Sequence, residues 1–356
     1  MERIYLDWNA TAPILPQVRE AIVEALEEIP GNASSVHQQG QKARALVERA
    51  RRVLARAVGA PGQAVVLTGG ATESNNQVLQ SHVARHDEPH IVCSAVEHPS
   101  VIDVVERLGG EGVSVDVSPV DRQGRLDLDA LDELLDQGAS LVSVMWANNE
   151  VGNLYPVAEI AERVHDRGAR LHVDGTQALG RRPIDFEACG ADIMTLSFHK
   201  MGGPKGVGAI VLREGEKVEP MMAGGHQERG RRPGTENVPA LAGLEAAARA
   251  VIERVDQWEA DLESMRRQFL AGLEAEIAEF EVRGDPERRL ANTLNVAFPG
   301  IDGEDFLLAA DLEGLSASSG SACTAGSLEP SHVIEAMGFD EQAARQSVRF
   351  SFGPAT

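Results

Sequence analysis

Short apolar runs alternate with amphipathic segments along most of the chain. The runs at 65–68, 90–94, 113–119, 141–147, 171–174, 193–197 and 208–212 are rich in Val, Ile and Leu and have strand length. Between them, 101–108, 126–135 and 157–164 carry apolar residues at the helical period of about 3.6 residues. This alternation predicts an α/β fold with a mostly parallel seven-stranded sheet and helices on both faces. The near-continuous apolarity of most runs predicts strands buried on both sides. Polar residues and glycines gather just after the strands, in Thr68-Gly69-Gly70-Ala71-Thr72-Glu73-Ser74, Glu97-His98-Pro99 and Asn148-Asn149-Glu150. Open α/β sheets bind ligands at that carboxyl edge.

The texture changes from about Leu241. A long, charged, alanine-rich helix is predicted through Arg254 to Leu273, followed by strand-like stretches at 292–298 and 348–352. The expected organisation is a large domain over 13–253 and a smaller α+β domain over 254–356. The N-terminal arm, 1–12, is expected to return to the smaller domain through Arg3-Ile4-Tyr5-Leu6-Asp7.

Composition narrows the function. Aromatics make up only 4% of the chain, so the core must rest on Ala, Val, Leu and Ile. The formal net charge of −22 argues against nucleic acid or an anionic membrane as a partner, since both need clustered Lys and Arg. Cys93, Cys189 and Cys323 form no CxxC pair, which gives neither a disulfide framework nor a zinc site. The start lacks the apolar run of a signal peptide, and no stretch approaches the roughly 18 apolar residues of a membrane span. A cytoplasmic location, with reduced thiols, is the expectation.

Lys200 ends an apolar run in Ile193-Met194-Thr195-Leu196-Ser197-Phe198-His199-Lys200, and Asp174 ends another in Leu171-His172-Val173-Asp174. Singly, they read as a loop lysine and a helix-capping aspartate. Together they are the pair that pyridoxal 5'-phosphate needs: a lysine for the Schiff base and a carboxylate that keeps the pyridine nitrogen protonated. The turn Gly69-Gly70-Ala71-Thr72 between strand and helix suits an anion, and Ser197 and His199 add donors to it. His98 reads either as a histidine that caps a helix start or as a ring stacked on the cofactor that moves protons. Asn149 and Gln177 are neutral donors suited to the cofactor's phenolic oxygen.

Cys323 lies within 317–327, where every residue is small and no helical period exists. An accessible loop is expected there, and a tethered thiol suits a nucleophile that carries its product away. Cys93 and Cys189, in apolar segments, read as buried small hydrophobes. A thiol with pKa near about 8.5 is only a few per cent thiolate at neutral pH. Cys323 is therefore expected to pass its proton to His98. Arg349, alternating out of a strand in Ser347-Val348-Arg349-Phe350-Ser351, is either a carboxylate fork or an ordinary surface arginine.

These motifs resemble the class I, NifS/IscS-type cysteine desulfurases. The resemblance runs from Tyr5-Leu6-Asp7-Trp8-Asn9-Ala10-Thr11 to Val348-Arg349-Phe350-Ser351, with the Cys323 loop as the class I mark. Val144-Met145-Trp146-Ala147-Asn148-Asn149-Glu150 and Gly224-Gly225-His226-Gln227-Glu228-Arg229-Gly230-Arg231-Arg232 place it nearest the nitrogen-fixation branch. The resemblance implies fold type I of the pyridoxal phosphate enzymes and a homodimer. It implies conversion of L-cysteine to L-alanine, with sulfur held on Cys323 as a persulfide. An iron-sulfur scaffold or sulfur-carrier protein would then accept the sulfur.

Position by position, the resemblance makes Lys200 the Schiff-base lysine, Asp174 the partner of the pyridine nitrogen, and His98 the stacked acid/base. Asn149 and Gln177 would bind the phenolic oxygen, and Ala71, Thr72, Ser197 and His199 the phosphate. Thr235 would reach the phosphate of the neighbouring subunit, and Asn32 and Arg349 would bind the substrate carboxylate. No resident metal is implied, with Cys323 the one candidate for a transient cluster ligand. The chain departs from the family pattern at Ala33, where proline is usual, and at Phe198, where glycine is usual. Relatives continue past the position of Thr356 through at least one more helix, so a less stable smaller domain is expected. The rival readings are another fold type I lyase, such as a selenocysteine lyase, and a non-catalytic scaffold-binding relative.

Overall fold

The computed structural model describes residues 3–320 and 330–356. After β1 (Ile4–Tyr5) come α1 (Pro16–Glu28) and α2 (Gln38–Ala57). The alternating region then gives β2 (Val65–Thr68), α3 (Ala71–Arg85), β3 (His90–Ser94), α4 (Pro99–Gly110) and β4 (Ser114–Ser118). It continues with α5 (Leu128–Asp136), β5 (Leu141–Met145), α6 (Val157–Asp166), β6 (Arg170–Asp174), β7 (Ile193–Ser197) and β8 (Gly208–Leu212). These seven strands form one sheet in the order β2-β8-β7-β6-β5-β3-β4. β4, β3, β5, β6 and β7 run parallel, and β8 lies antiparallel to both β7 and β2.

Alternate side chains of each strand enter different cores, as the pleat requires. Val65, Leu67, Val92, Val173, Met194 and Val211 join the main core with α2, α5, α6 and α7. Val66, Ile210 and Leu212 face Val78 of α3, and Ile91 and Cys93 face Val101 and Val105 of α4. The expectation of double burial fails at β4, where Val117 is 45% exposed. That strand ends the sheet, with a neighbour on only one side.

The remaining elements are α7 (Val238–Glu276), β9 (Glu281–Arg283), β10 (Thr293–Ala297), α8 (Gly303–Leu312), β11 (Leu315–Ser316), α9 (His332–Ala336), α10 (Glu341–Arg345) and β12 (Ser347–Ser351). An antiparallel sheet has the order β12-β10-β9, and β1 of the N-terminal arm pairs parallel with β11. α7 packs early against α1 and α2, while Phe269 near its end meets Phe350 at 4.9 Å between ring centroids. Phe198 is fully buried in the main core, which accommodates that departure from the family pattern. Among the described residues no helix is long and apolar enough to cross a membrane, and no group of three or more His, Cys, Asp or Glu could hold a metal ion.

The arm joins the two larger sheets through Asn9. Its Nδ2 donates to Asn149 O (3.1 Å) and Thr293 Oγ1 (2.9 Å), its Oδ1 accepts from Asn292 (3.0 Å), and its N–H donates to Ser351 Oγ (3.0 Å). Asn9→Ala leaves buried polar groups short of partners on both sides. The expected loss is about 1–3 kcal/mol of stability, read from the urea midpoint.

Candidate active site

Strand direction decides where the chemistry gathers. The carboxyl ends of β2, β3, β5, β6 and β7 open on one edge, and β8, running the other way, begins there. Thr68 and Ser197 both pair with Gly208 at that edge. A cleft of about 510 Å³ lies over it.

One end of the cleft suits an anion. Gly70 starts α3 at φ 151°, and no side chain caps that helix start. A Cβ on Gly208 would lie 2.6 Å from Gly70 backbone atoms, so only glycine lets the turn rest on β8. Ala71, Thr72, Ser197, His199 and Lys205 line this end. His199 Nδ1 lies 3.1 Å from Thr11 Oγ1. Burial, then the Lys200 and Lys205 cations, pushes its pKa down to about 4, which leaves a neutral ring at neutral pH.

Lys200 sits in the middle, donating from Nζ to the carbonyls of Asn9 (2.5 Å) and Ala10 (2.8 Å). Asp174 is buried. Its Oδ2 accepts from Asn75 Nδ2 and its Oδ1 from Thr176 N–H, each at 2.9 Å. His98 caps α4, with Nδ1 accepting from Ser100 N–H at 3.1 Å. Burial is the main cause that lowers its pKa. Gln177 donates from Nε2 to Asn9 O at 3.1 Å, and its buried Oε1 has no partner among the described residues.

Arg349 is 1% exposed, so it is no surface arginine. Its Nη1 donates to Asn149 O (3.0 Å) and Gly320 O (2.5 Å), and its Nη2 pairs with Asp7 (2.8 Å). Its Nε has no partner among the described residues. The cleft therefore gathers Ala71, Thr72, His98, Asn149, Asp174, Gln177, Ser197, His199, Lys200 and Arg349. Asn32 and Thr235 are exposed and line no part of it; Asn32 Oδ1 accepts from Ser34 N–H at 2.8 Å. Cys323 lies outside the described residues.

Several lining or supporting residues escaped the sequence reading: Asn9, Thr11, Lys205, and the buried Asn75, Ser100 and Thr195. One signal was present. Ser74, Asn75 and Gln77 sit on the buried side of α3, where a helix covering a sheet ordinarily carries apolar residues. The groups present fit pyridoxal 5'-phosphate. The uncapped helix start with Ser197 and His199 suits its phosphate, Lys200 its aldehyde, and the buried carboxylate of Asp174 its pyridine nitrogen.

The aminotransferase class-V family model matches residues 4–356. The chain is 42% identical over 352 residues to the cysteine desulfurase of Trichormus azollae, covering 99% of this chain and 88% of that one. It is 40% identical to the cysteine desulfurase NifS of Azotobacter vinelandii, covering 100% and 89%. Among solved structures, a NifS-like protein superposes with a TM-score of 0.92 at 32% identity, covering 99% and 94%.

Glu97 lies beside His98 and is fully buried. Its Oε1 accepts from Ser94 Oγ (2.5 Å) and Met145 N–H (2.7 Å), while Oε2 has no partner among the described residues. Burial raises its pKa from 4.5 to about 8. Between those values the folded state holds a proton that the unfolded state has lost, so this group's contribution falls as pH rises. Glu97→Gln should lose that slope. Urea midpoints at about pH 5 and about pH 8 check this: the wild type should drop more than the variant across the interval.

Proposed function

This chain belongs to the aminotransferase class-V family and is a cysteine desulfurase of the NifS/IscS type, and on that premise we propose that the cleft is its catalytic site, holding pyridoxal 5'-phosphate and taking L-cysteine. The observation that carries the reading is the meeting of Lys200, Asp174, His98 and Arg349 in one cleft whose far end suits a phosphate. When bound, the cofactor supplies a protonated ring that withdraws electrons from the substrate's α carbon.

The chain's own residues do the rest. Lys200 fastens the cofactor and moves the α-proton. Asp174, held by Asn75 and Thr176, keeps the proton on the pyridine nitrogen. The start of α3, Ser197 and His199 hold the phosphate, and His98 covers the ring. Asn149 and Gln177 lie by the phenolic oxygen. Arg349 takes the substrate carboxylate, its guanidinium plane already fixed through Nη1 and Nη2 by two carbonyls and Asp7, and its Nε left without a partner among the described residues. Cys323, as thiolate, attacks the substrate sulfur. The S–S bond forms as the C–S bond breaks, the electron pair stays with carbon, which takes up one proton to balance the one Cys323 lost on ionising, and alanine leaves.

Thr235 and Asn32 are exposed outside the cleft; in a homodimer Thr235 would reach the phosphate of the neighbouring subunit, and Asn32 would bind the substrate carboxylate. The two larger sheets support a division at 13–253 against 1–12 with 254–356, α7 running across it. The sulfur would pass to an iron-sulfur scaffold or sulfur-carrier protein in the cytoplasm. The excess negative charge disfavours nucleic acid and anionic membrane as partners.

With L-cysteine the protein should form alanine and a persulfide in equal amounts. Lys200→Ala should lose the visible absorbance of the loaded enzyme together with turnover. Cys323→Ala should still change the spectrum on adding L-cysteine, yet accumulate neither persulfide nor alanine. A persulfide mapped by mass spectrometry to Cys93 or Cys189 instead would count against the role of Cys323.

A further inference from the structure

A chain of hydrogen bonds fixes which nitrogen of His98 carries its proton. A backbone N–H can only donate. The Ser100 N–H lies 3.1 Å from His98 Nδ1, so Nδ1 must offer a lone pair. The Ser100 hydroxyl lies 2.9 Å from the same atom. Its own role is set by Asn75, whose Nδ2 donates both to Ser100 Oγ and to Asp174 Oδ2, each at 2.9 Å. Asn75 cannot be turned around, because its Oδ1 accepts from Thr195 Oγ1 at 2.5 Å and a carboxylate has no hydrogen to give. Ser100 Oγ therefore receives a hydrogen from Asn75 and directs its own at Nδ1.

We infer that Asn75 and Ser100 are positioning residues that hold His98 as the Nε2–H tautomer, so that His98 meets the substrate as a hydrogen-bond donor and not as the base for Cys323. The inference rests on the cleft being the catalytic site. It replaces the expectation drawn from sequence, because an Nε2–H ring has no lone pair at Nε2 to take a thiol proton.

The surrounding charges oppose one another. Asp174 at the end of β6 and Asp103 on α4 favour a cationic ring, while Lys200 beyond β7 and His332 on α9 disfavour it. Burial outweighs them and lowers the pKa, and the positive end of the α4 dipole acts in the same sense. A neutral ring with a fixed N–H is suited to negative charge developing on the substrate.

Two measurements test this. The full-length protein, labelled with [15N]histidine and loaded with pyridoxal 5'-phosphate, is compared with its His98→Gln variant to assign the ring. At neutral pH, Nδ1 should be proton-free and Nε2 should carry the proton; an Nδ1–H ring or an imidazolium would overturn the inference. Ser100→Ala removes one of the two hydrogens aimed at Nδ1, so the ring should titrate at higher pH than in the wild type. An unchanged or lower titration point would refute the positioning role.

Turnover of L-cysteine gives the second readout. His98→Asn and His98→Asp both cap a helix well, but only the asparagine offers an N–H. The Asn variant should be at least about tenfold faster than the Asp variant, since losing one such donor costs on the order of a hundredfold. Equal rates or the reverse order would support a base and sink the proposal. If the wild type itself fails to turn over L-cysteine, the functional reading fails, while the tautomer remains measurable in the resting protein.

Discussion

The backbone carbonyl of Asn9 accepts from Lys200 Nζ at 2.5 Å and from Gln177 Nε2 at 3.1 Å. These two donors come from the ends of different strands of the large sheet. The side chain of the same residue reaches Asn292 and Thr293 beside the small antiparallel sheet. One residue of the N-terminal arm thus sets the distance between the carboxyl edge of the large sheet and the body that bears Arg349. The arm can do this because it is anchored elsewhere. β1 pairs with β11, Asp7 holds Arg349, and the Trp8 carbonyl accepts from the buried Arg181.

A second set of ties supports the anion end. Glu228 is buried and receives both Nη atoms of Arg51 (2.7 and 2.6 Å) and the N–H of Leu67 (2.9 Å). It holds φ at 50°, with Arg229 at 61°, conformations that side chains rarely adopt. A buried ion pair of this kind adds little net stability, but removing one partner would strand a charge. Its consequence is geometric. The segment it pins carries Arg232, which pairs with Glu73 (2.8 Å), and Glu73 accepts from Gly69 N–H (2.9 Å) in the turn that precedes α3. The turn is therefore fixed from outside the cleft, leaving the first N–H groups of α3 for an anion.

The interior of the sheet near the site is unusually polar, and its groups satisfy one another. Ser143 meets His172 Nδ1 at 2.8 Å, His172 Nε2 meets Thr195 at 3.1 Å, and Thr195 leads through Asn75 to Asp174 and Ser100. Burial pushes the pKa of His172 down to about 4, so the ring serves this chain in its neutral form. A network of this kind resists rotation of any one member, because each displaced group would leave a buried partner without a hydrogen bond.

Local pattern determined a good deal. The runs at 65–68, 90–94, 193–197 and 208–212 are strands with those bounds, because burial on both faces leaves its mark on consecutive residues. Lys200 and Asp174 were legible because a polar group closing an apolar strand stands out against its neighbours. Asn75 was not, since its partner Asp174 is 99 residues away and nothing beside it in the chain says which donor faces which acceptor. Arg349 stayed open between surface and site until the fold set it against Asp7, 342 residues distant. Periodicity is a property of neighbours along the chain. Hydrogen-bond pairing, tautomer and charge state are properties of neighbours in space, and only the packed sheet edge decided them.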